Sequence, residues 1–307
     1  MFTNTLNEII SSADIKTRIR IGRQFIPSRK EHTLKYGFTD DPMEEQRISS
    51  GHADRFVHKY PDKILIISSE QCPVLCRFCT RKRITFCDTF ELAMASSSIK
   101  TIKNNLRIKT NFDLAVSYIL KHKRIKEAIF SGGDPFMLTN KKIHELLGIF
   151  LKIPQLLKIR FHSRAVTMLP ERFNDALFLI FREALNAHPE KQIRLVMHVN
   201  HPAELTHSSL VIVRKFLNTG IPVLSQTVLL RHVNDNAAIL KDLFTKLVGE
   251  GIKPYYLHQL DKVTGSAHFE VNINHGIEII KYLRKELPLC AIPSYVTDGL
   301  KGKKEII

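Results

Sequence analysis

From residue 63 onward, short apolar runs of strand character alternate with amphipathic helical patterns, an alternation that restricts the chain to parallel strands joined by crossover helices. The strand candidates are Lys63–Ser68, Glu127–Ser131, Lys158–His162, Arg194–His198, Pro222–Thr227 and Pro254–Gln259. Six such runs suggest a barrel or part of one. Between them, Ala237 to Val248 carries apolar residues at i, i+3, i+4 and i+7, with Gly249 and Gly251 following as a stop signal. Pro170 to Ala187 and Ala203 to Leu217 read as helices in the same way. Residues 1–50 are polar and contain no barrel strand pattern, so they are expected to form an N-terminal extension to a barrel spanning 51–307.

Polar motifs fall where these strands end. Cys72 follows the first run, Ser131-Gly-Gly-Asp134 the second, Arg164 the third, His198 and Asn200 the fourth, Gln226 lies in the fifth, and Asp261 follows the sixth. In a (βα) barrel the C-terminal edge of the strands is where chemistry sits. Agreement among six strands points to a site more strongly than any one motif.

The most specific of these motifs is Cys72-Pro-Val-Leu-Cys76-Arg-Phe-Cys79. A C-x3-C-x2-C run gives three thiolates from one loop, and a four-iron cluster needs four ligands, so one iron stays open. A structural zinc site would want a fourth ligand, usually from a second C-x2-C pair, and there is none. A redox dithiol would use Cys76 and Cys79 and leave Cys72 idle. The spacing resembles that of radical S-adenosylmethionine enzymes, in which the cofactor's amino and carboxylate groups fill the open iron. The remaining cysteines, Cys87 and Cys290, are expected to be buried small apolar residues.

Apolar residues make up 44% of the 307 residues, enough for a substantial core, and no apolar stretch approaches the ~20 residues of a membrane span. The N-terminus lacks a signal-peptide pattern, so a soluble, cytoplasmic protein is expected. Forty-six Lys and Arg against thirty Asp and Glu give a net charge of +16, which favours anionic partners in general. The cations are spread along the chain, however, as solvated faces usually are.

From Asp41-Pro-Met-Glu-Glu to the C-terminus the sequence resembles the lysine 2,3-aminomutase family of pyridoxal-phosphate-dependent radical enzymes. The landmarks are Val57-His-Lys-Tyr-Pro-Asp-Lys63, Cys76-Arg-Phe-Cys-Thr-Arg-Lys-Arg83, Ser131-Gly-Gly-Asp-Pro135, His198-Val-Asn-His-Pro202, Gln226 to Asp235 and Pro254-Tyr-Tyr. Leu260 to Phe269 is similar to the short branch that makes (R)-β-lysine for elongation factor P. The resemblance implies an α/β fold, a partial six-unit (βα) barrel. It also implies three cofactors: a [4Fe-4S] cluster, S-adenosylmethionine and pyridoxal 5′-phosphate.

Residue by residue, Cys72, Cys76 and Cys79 match the cluster ligands. Ser131, Gly132, Gly133 and Asp134 match the loop that holds the S-adenosylmethionine amino group, and His198 and Gln226 match positions beside it. The family's phosphate-binding arginines fall on Lys59, Lys63 and Arg164, so two are lysine here and keep charge without the guanidinium fork. The Schiff-base lysine falls in the tail around Lys301, Lys303 and Lys304, where a one-residue gap favours Lys304 over Lys303. Arg81 matches the residue that grips the amino-acid carboxylate, and Asp261 and Asp298 match the pair that holds a distal ammonium. Two carboxylates facing one ammonium favour lysine over glutamate.

The implied reaction is a 1,2-amino shift converting L-lysine to β-lysine. Implied partners are an electron donor such as flavodoxin or ferredoxin and a downstream elongation factor P ligase, with neither membrane nor nucleic acid. The family's zinc cysteine is replaced by Asn236, so zinc is not expected. Two rivals stay open at this point: an aminomutase of arginine or glutamate, and a nucleic-acid-binding iron–sulfur protein. The second has the positive charge but lacks interleaved aromatics for base stacking.

Overall fold

The computed structural model describes residues 3–48, 55–85, 112–299 and 302–307. A single sheet runs in chain order: β1 (Phe56–Tyr60), β2 (Lys63–Ser69), β3 (Glu127–Gly132), β4 (Lys158–Ser163), β5 (Gln192–His198), β6 (Val223–Val228), β7 (Lys253–His258), β8 (Ser294–Gly299) and β9 (Gly302–Glu305). Strands β2 to β8 are parallel neighbours, while β1 and β9 are antiparallel strands on the two edges. Lys63, Glu127, Lys158 and Gln192 are in register, so these strands start level and bring their C-terminal ends to one rim.

All six expected runs are strands, each within two residues of the predicted bounds. Beside these six, the described residues add one further parallel strand, β8, and the two antiparallel edges β1 and β9. Phe56-Val-His-Lys-Tyr60 escaped because it carries half-buried polar residues rather than an apolar run. Strands β8 and β9 were missed because together they form a short, Gly-flanked hairpin with Gly299 opposite Gly302.

Around the sheet lie α1 (Asn4–Ser12), α2 (Ile15–Arg23), a helical stretch over residues 112–121 called α3, α4 (Asn140–Phe150), α5 (Asp175–Ala187), α6 (His207–Asn218), α7 (Ala237–Gly249) and α8 (Ile273–Glu286). Helices α4 to α8 begin behind Thr139, Asn174, Thr206, Asn236 and Asn272, whose side chains accept backbone N–H groups of the first turn. These caps divide the broader helical patterns seen in the sequence. Pro170–Arg172 and Pro202–Glu204 form separate 3-10 turns, and the helices proper start at Asp175 and His207.

Between sheet and helices the core is rich in phenylalanine, with Phe130, Phe136, Phe161, Phe181 and Phe216 buried against one another. Each such side chain contributes about 1.5–3 kcal/mol through burial. Alternation along β4 sends Ile159 and Phe161 into this core and Arg160 and His162 to the other face. Helices α1 and α2 do not drift free: Leu6, Ile9, Ile21 and Phe25 pack on Val74 of the cysteine loop and on Met168. Cys290 is exposed, contrary to expectation, because it sits in the surface turn Leu289–Ala291 beside exposed Leu289. Cys87, Lys301 and the expected boundary near residue 50 lie outside the described residues. Among the described residues no helix is long and apolar enough to cross a membrane.

Candidate active site

A cavity of about 260 Å³ opens at the C-terminal rim of the strands, and its wall is formed by the three cysteines, the Ser131–Asp134 loop, Arg81, Asp261, Asp298 and Lys303. His162, His198, Gln226 and His258 also line it. Barrel interiors are normally filled by branched apolar side chains. Titratable groups here imply a polar or charged occupant, because a buried polar group without a partner is costly.

The cysteine loop leaves β2 and is held from three sides. The backbone N–H of Arg77 donates to the carbonyl of Gln24 at 2.9 Å, and its guanidinium grips Glu31 through two nitrogens. The sulfur of Cys79 accepts the N–H of Arg81 at 3.3 Å, and the sulfur of Cys76 accepts Arg164 Nη1 at 3.0 Å. Burial pushes the Cys76 thiol up and the Arg164 cation opposes that rise. Burial, with Asp134 nearby, pushes Cys72 up as well. Burial thus favours the protonated form of Cys72 and Cys76, and a positively charged centre bound there would displace those protons. Among the described residues no three His, Cys, Asp or Glu side chains converge as ligands of one metal ion. A cubane instead takes each cysteine on a different iron, which three thiols along one loop can satisfy. The donor set fits that group.

The two glycines of the Ser131–Asp134 loop have a structural reason. Gly132 has φ +103°, and a Cβ on Gly133 would lie 2.3 Å from the carbonyl oxygen of Gln71. The loop therefore presses directly on the start of the cysteine loop, with Gly133 N–H to Ser69 O and Asp134 N–H to Gln71 O both at 2.7 Å. Asp134 does not present its carboxylate to the cavity as a free acceptor. It takes hydrogen bonds from Ser163 Oγ and from the N–H groups of Phe136, Arg164 and Ala165, tying the β3 loop to the β4 loop.

Arg164 departs from the expectation of a phosphate ligand. Its guanidinium is buried between the rings of Phe25 and Phe78 and bonds Cys76, Gln24 Oε1 at 2.7 Å and Glu204 Oε2 at 3.2 Å. These partners hold it at the cluster end. Lys59 is different: its Nζ is buried with no hydrogen-bond partner, and burial lowers its pKa despite nearby Asp298. Such an orphaned cation fits a phosphate. Lys63 starts β2 and rests its ammonium over the Tyr60 ring, 4.6 Å from the centroid. The Tyr60 hydroxyl in turn accepts the N–H of Lys303 at 2.7 Å.

Strand alternation decides between the tail lysines. Lys303 is half-buried, lines the cavity and donates its ammonium to Asp298, whereas Lys304 is exposed. The structure thus turns Lys303 toward the cavity rather than the expected Lys304, because a one-residue shift in a strand reverses the face. Asp298 also lies 3.8 Å from His258 Nδ1. Burial, reinforced by Asp298, pushes Asp261 up to about 7. Arg81 holds the carboxylate of Glu45 through Nε at 3.2 Å and Nη2 at 2.6 Å.

Several residues at the site were not singled out from sequence. His162 and His258 bury their Nε2 atoms without partners, and burial lowers both pKa values. A polar residue at an alternate position of an otherwise apolar strand was their available signal. Gln24, Glu45 and Glu204 had no local signal, since each acts through a partner distant in sequence.

No family model matches the chain. The L-lysine 2,3-aminomutase of Escherichia coli is 35% identical over 262 residues, covering 85% of this chain and 69% of that protein. The enzyme of the same name from Haemophilus influenzae is 33% identical, covering 85% and 70%, and that of Methanococcus maripaludis is 33% identical, covering 93% and 61%. Among solved structures, a radical SAM methyltransferase from Sphaerobacter thermophilus shares the fold, with TM-score 0.50 and 16% identity over 80% of this chain and 69% of that one. With a barrel of this kind and sequence identity of this extent, the chain belongs to the L-lysine 2,3-aminomutase family of isomerases.

Proposed function

We propose that the enzyme moves the 2-amino group of L-lysine to carbon 3, giving β-lysine, with a [4Fe-4S] cluster, S-adenosylmethionine and pyridoxal phosphate held in this cavity. The observation that carries the reading is the Lys303 ammonium on Asp298, within the cavity that Arg81 and Asp261 also line. A carboxylate that already receives one primary ammonium there is suited to receive that of a lysine substrate. When bound, the three groups would supply the electron, the carbon-centred radical and the carbonyl through which an amino group can pass between neighbouring carbons.

The chain's own residues hold and orient. Cys72, Cys76 and Cys79 would ligate the cluster, with the Ser131–Gly133 backbone, His198 and Gln226 beside S-adenosylmethionine. Lys303 offers the amine for the pyridoxal carbonyl, and Lys59 with Lys63 the charge for its phosphate. Any reaction that engages the Lys303 amine removes the cation from Asp298. Asp298 and Asp261 are then two buried carboxylates for a second ammonium to neutralise. Glu45 occupies Nε and Nη2 of Arg81, leaving Nη1 for the substrate carboxylate. A glutamate side chain would bring a third carboxylate to Asp261 and Asp298, so the charge pattern disfavours it.

Flavodoxin or ferredoxin would supply the electron, and a ligase modifying elongation factor P would take the product. The test is anaerobic reconstitution followed by incubation with reductant, S-adenosylmethionine and each of L-lysine, arginine and glutamate. β-Lysine is the expected main product. Faster conversion of arginine or glutamate would remove the lysine assignment while leaving the chemistry.

A further inference from the structure

Behind the cysteine loop lies a closed group of buried polar side chains that the reaction does not itself require. Gln24, Asn200 and Glu204 are fully buried and Arg164 is 6% exposed. Arg164 Nη2 donates to Gln24 Oε1 and Glu204 Oε2, Gln24 Nε2 donates to Glu204 Oε1 at 2.9 Å, and Asn200 Nδ2 donates to Gln24 Oε1 at 2.9 Å. Together these bonds aim Arg164 Nη1 at the sulfur of Cys76. Gln24 ends α2, and its backbone carbonyl also receives the N–H of Arg77, so one residue of the N-terminal segment fixes both the loop and the cation behind it.

We propose that Arg164, oriented by Gln24 and Glu204, is a positioning residue that raises the reduction potential of an iron–sulfur cluster bound at Cys72, Cys76 and Cys79, acting through its hydrogen bond to the Cys76 sulfur. The proposal rests on the cluster assignment made above. Its physical basis is charge. Reduction adds one electron to the cluster, and a buried cation in contact with a ligating sulfur favours that added negative charge. Low local dielectric keeps this effect from being screened. Hydrogen bonds to cluster sulfurs act in the same direction. Glu204 acts with the opposite sign, since its carboxylate partly cancels the cation and stands behind the same sulfur. The stacking of the guanidinium on Phe25 and Phe78 excludes the water that would otherwise replace it.

The opposed signs make the test specific. The reconstituted full-length protein, without S-adenosylmethionine, pyridoxal phosphate or lysine, is titrated with reductant under argon, and the cluster is followed by absorbance and spin resonance. Arg164→Gln should lower the midpoint potential and Glu204→Gln should raise it. Each shift should correspond to a change of at least tenfold in the reduction equilibrium, which for one electron is about 59 mV. Arg164→Lys keeps the charge but not the fork and should recover part of the loss. A purely structural role would degrade cluster content without opposed shifts. Should Arg164→Gln fail to take up iron, Glu204→Gln alone decides: an unchanged or lowered potential overturns the proposal. Both variants moving the same way also overturns it. Wild type that takes up no four-iron cluster overturns the functional reading itself, and is seen before any variant is compared.

Discussion

At the cysteine end of the cavity, Arg164, Gln24, Glu204, Asn200 and Asp134 bond one another or the backbone, and only Arg164 Nε among their buried side-chain atoms lacks a partner. At the lysine end, Lys59 Nζ and the Nε2 atoms of His162 and His258 are all buried without one. An unpaired buried polar group costs about 1–3 kcal/mol. The first region is therefore preorganised by the protein, whereas the second carries polar groups whose cost a ligand would relieve. A cluster needs fixed ligands, while a cofactor and substrate that come and go need donors left open.

The sharpest way to break this contrast is Cys76→Ala. Removing one of three thiolates should abolish four-iron cluster assembly, read by iron counting and spin resonance, while the fold persists by circular dichroism. Four irons retained in the variant would dissociate the cysteine loop from the cofactor. Next in size, Lys303→Ala should eliminate borohydride-trapped pyridoxyl label from the tail peptide, and Lys304→Ala should leave it. The reverse pattern would restore the register favoured by the sequence.

Asp298→Asn tests the open end more gently. Losing one side of a buried charge pair costs about 2–5 kcal/mol, so kcat/KM for lysine should fall by roughly 30-fold or more, with S-adenosylmethionine binding unchanged. Equal loss of both would mean the two ends are one cooperative unit. The smallest effect concerns protons. Burial raises Asp261 to about 7, so its neutral form persists up to that pH in the free enzyme and its carboxylate prevails above. The value of kcat/KM for lysine should rise as pH increases through about 7, and Asp261→Asn should remove that rise.

Six of the seven parallel strands and the cysteine loop were legible because periodicity and spacing are local properties. Strands β1, β8 and β9 were not, because only Phe56 and Val57, and Tyr295 and Val296, are buried apolar residues there, too few for a periodic run, and β9 is a Gly-Lys-Lys-Glu segment with none. Which tail lysine lines the cavity was not legible, since a gap in a Gly-rich stretch leaves strand phase undetermined until pairing with β8 sets it. Arg164 was expected at a phosphate, and the structure shows it bonded to Cys76, Gln24 and Glu204. Its partners Gln24 and Glu204 lie far away in the chain and follow from packing alone.

Strand order also bears on how anything enters. Among the described residues β1 and β9 do not pair with each other, and the hydroxyl of Tyr60 spans the gap by receiving the N–H of Lys303. The barrel is thus a rolled sheet with a seam, fastened at that point by a side chain rather than by a ladder. One such bond contributes about 0.5–1.5 kcal/mol, far below global stability. The wall can part there while the rest stays folded. The amides of β9 should accordingly exchange with solvent well before those of β3 to β6, and filling the lumen should slow them.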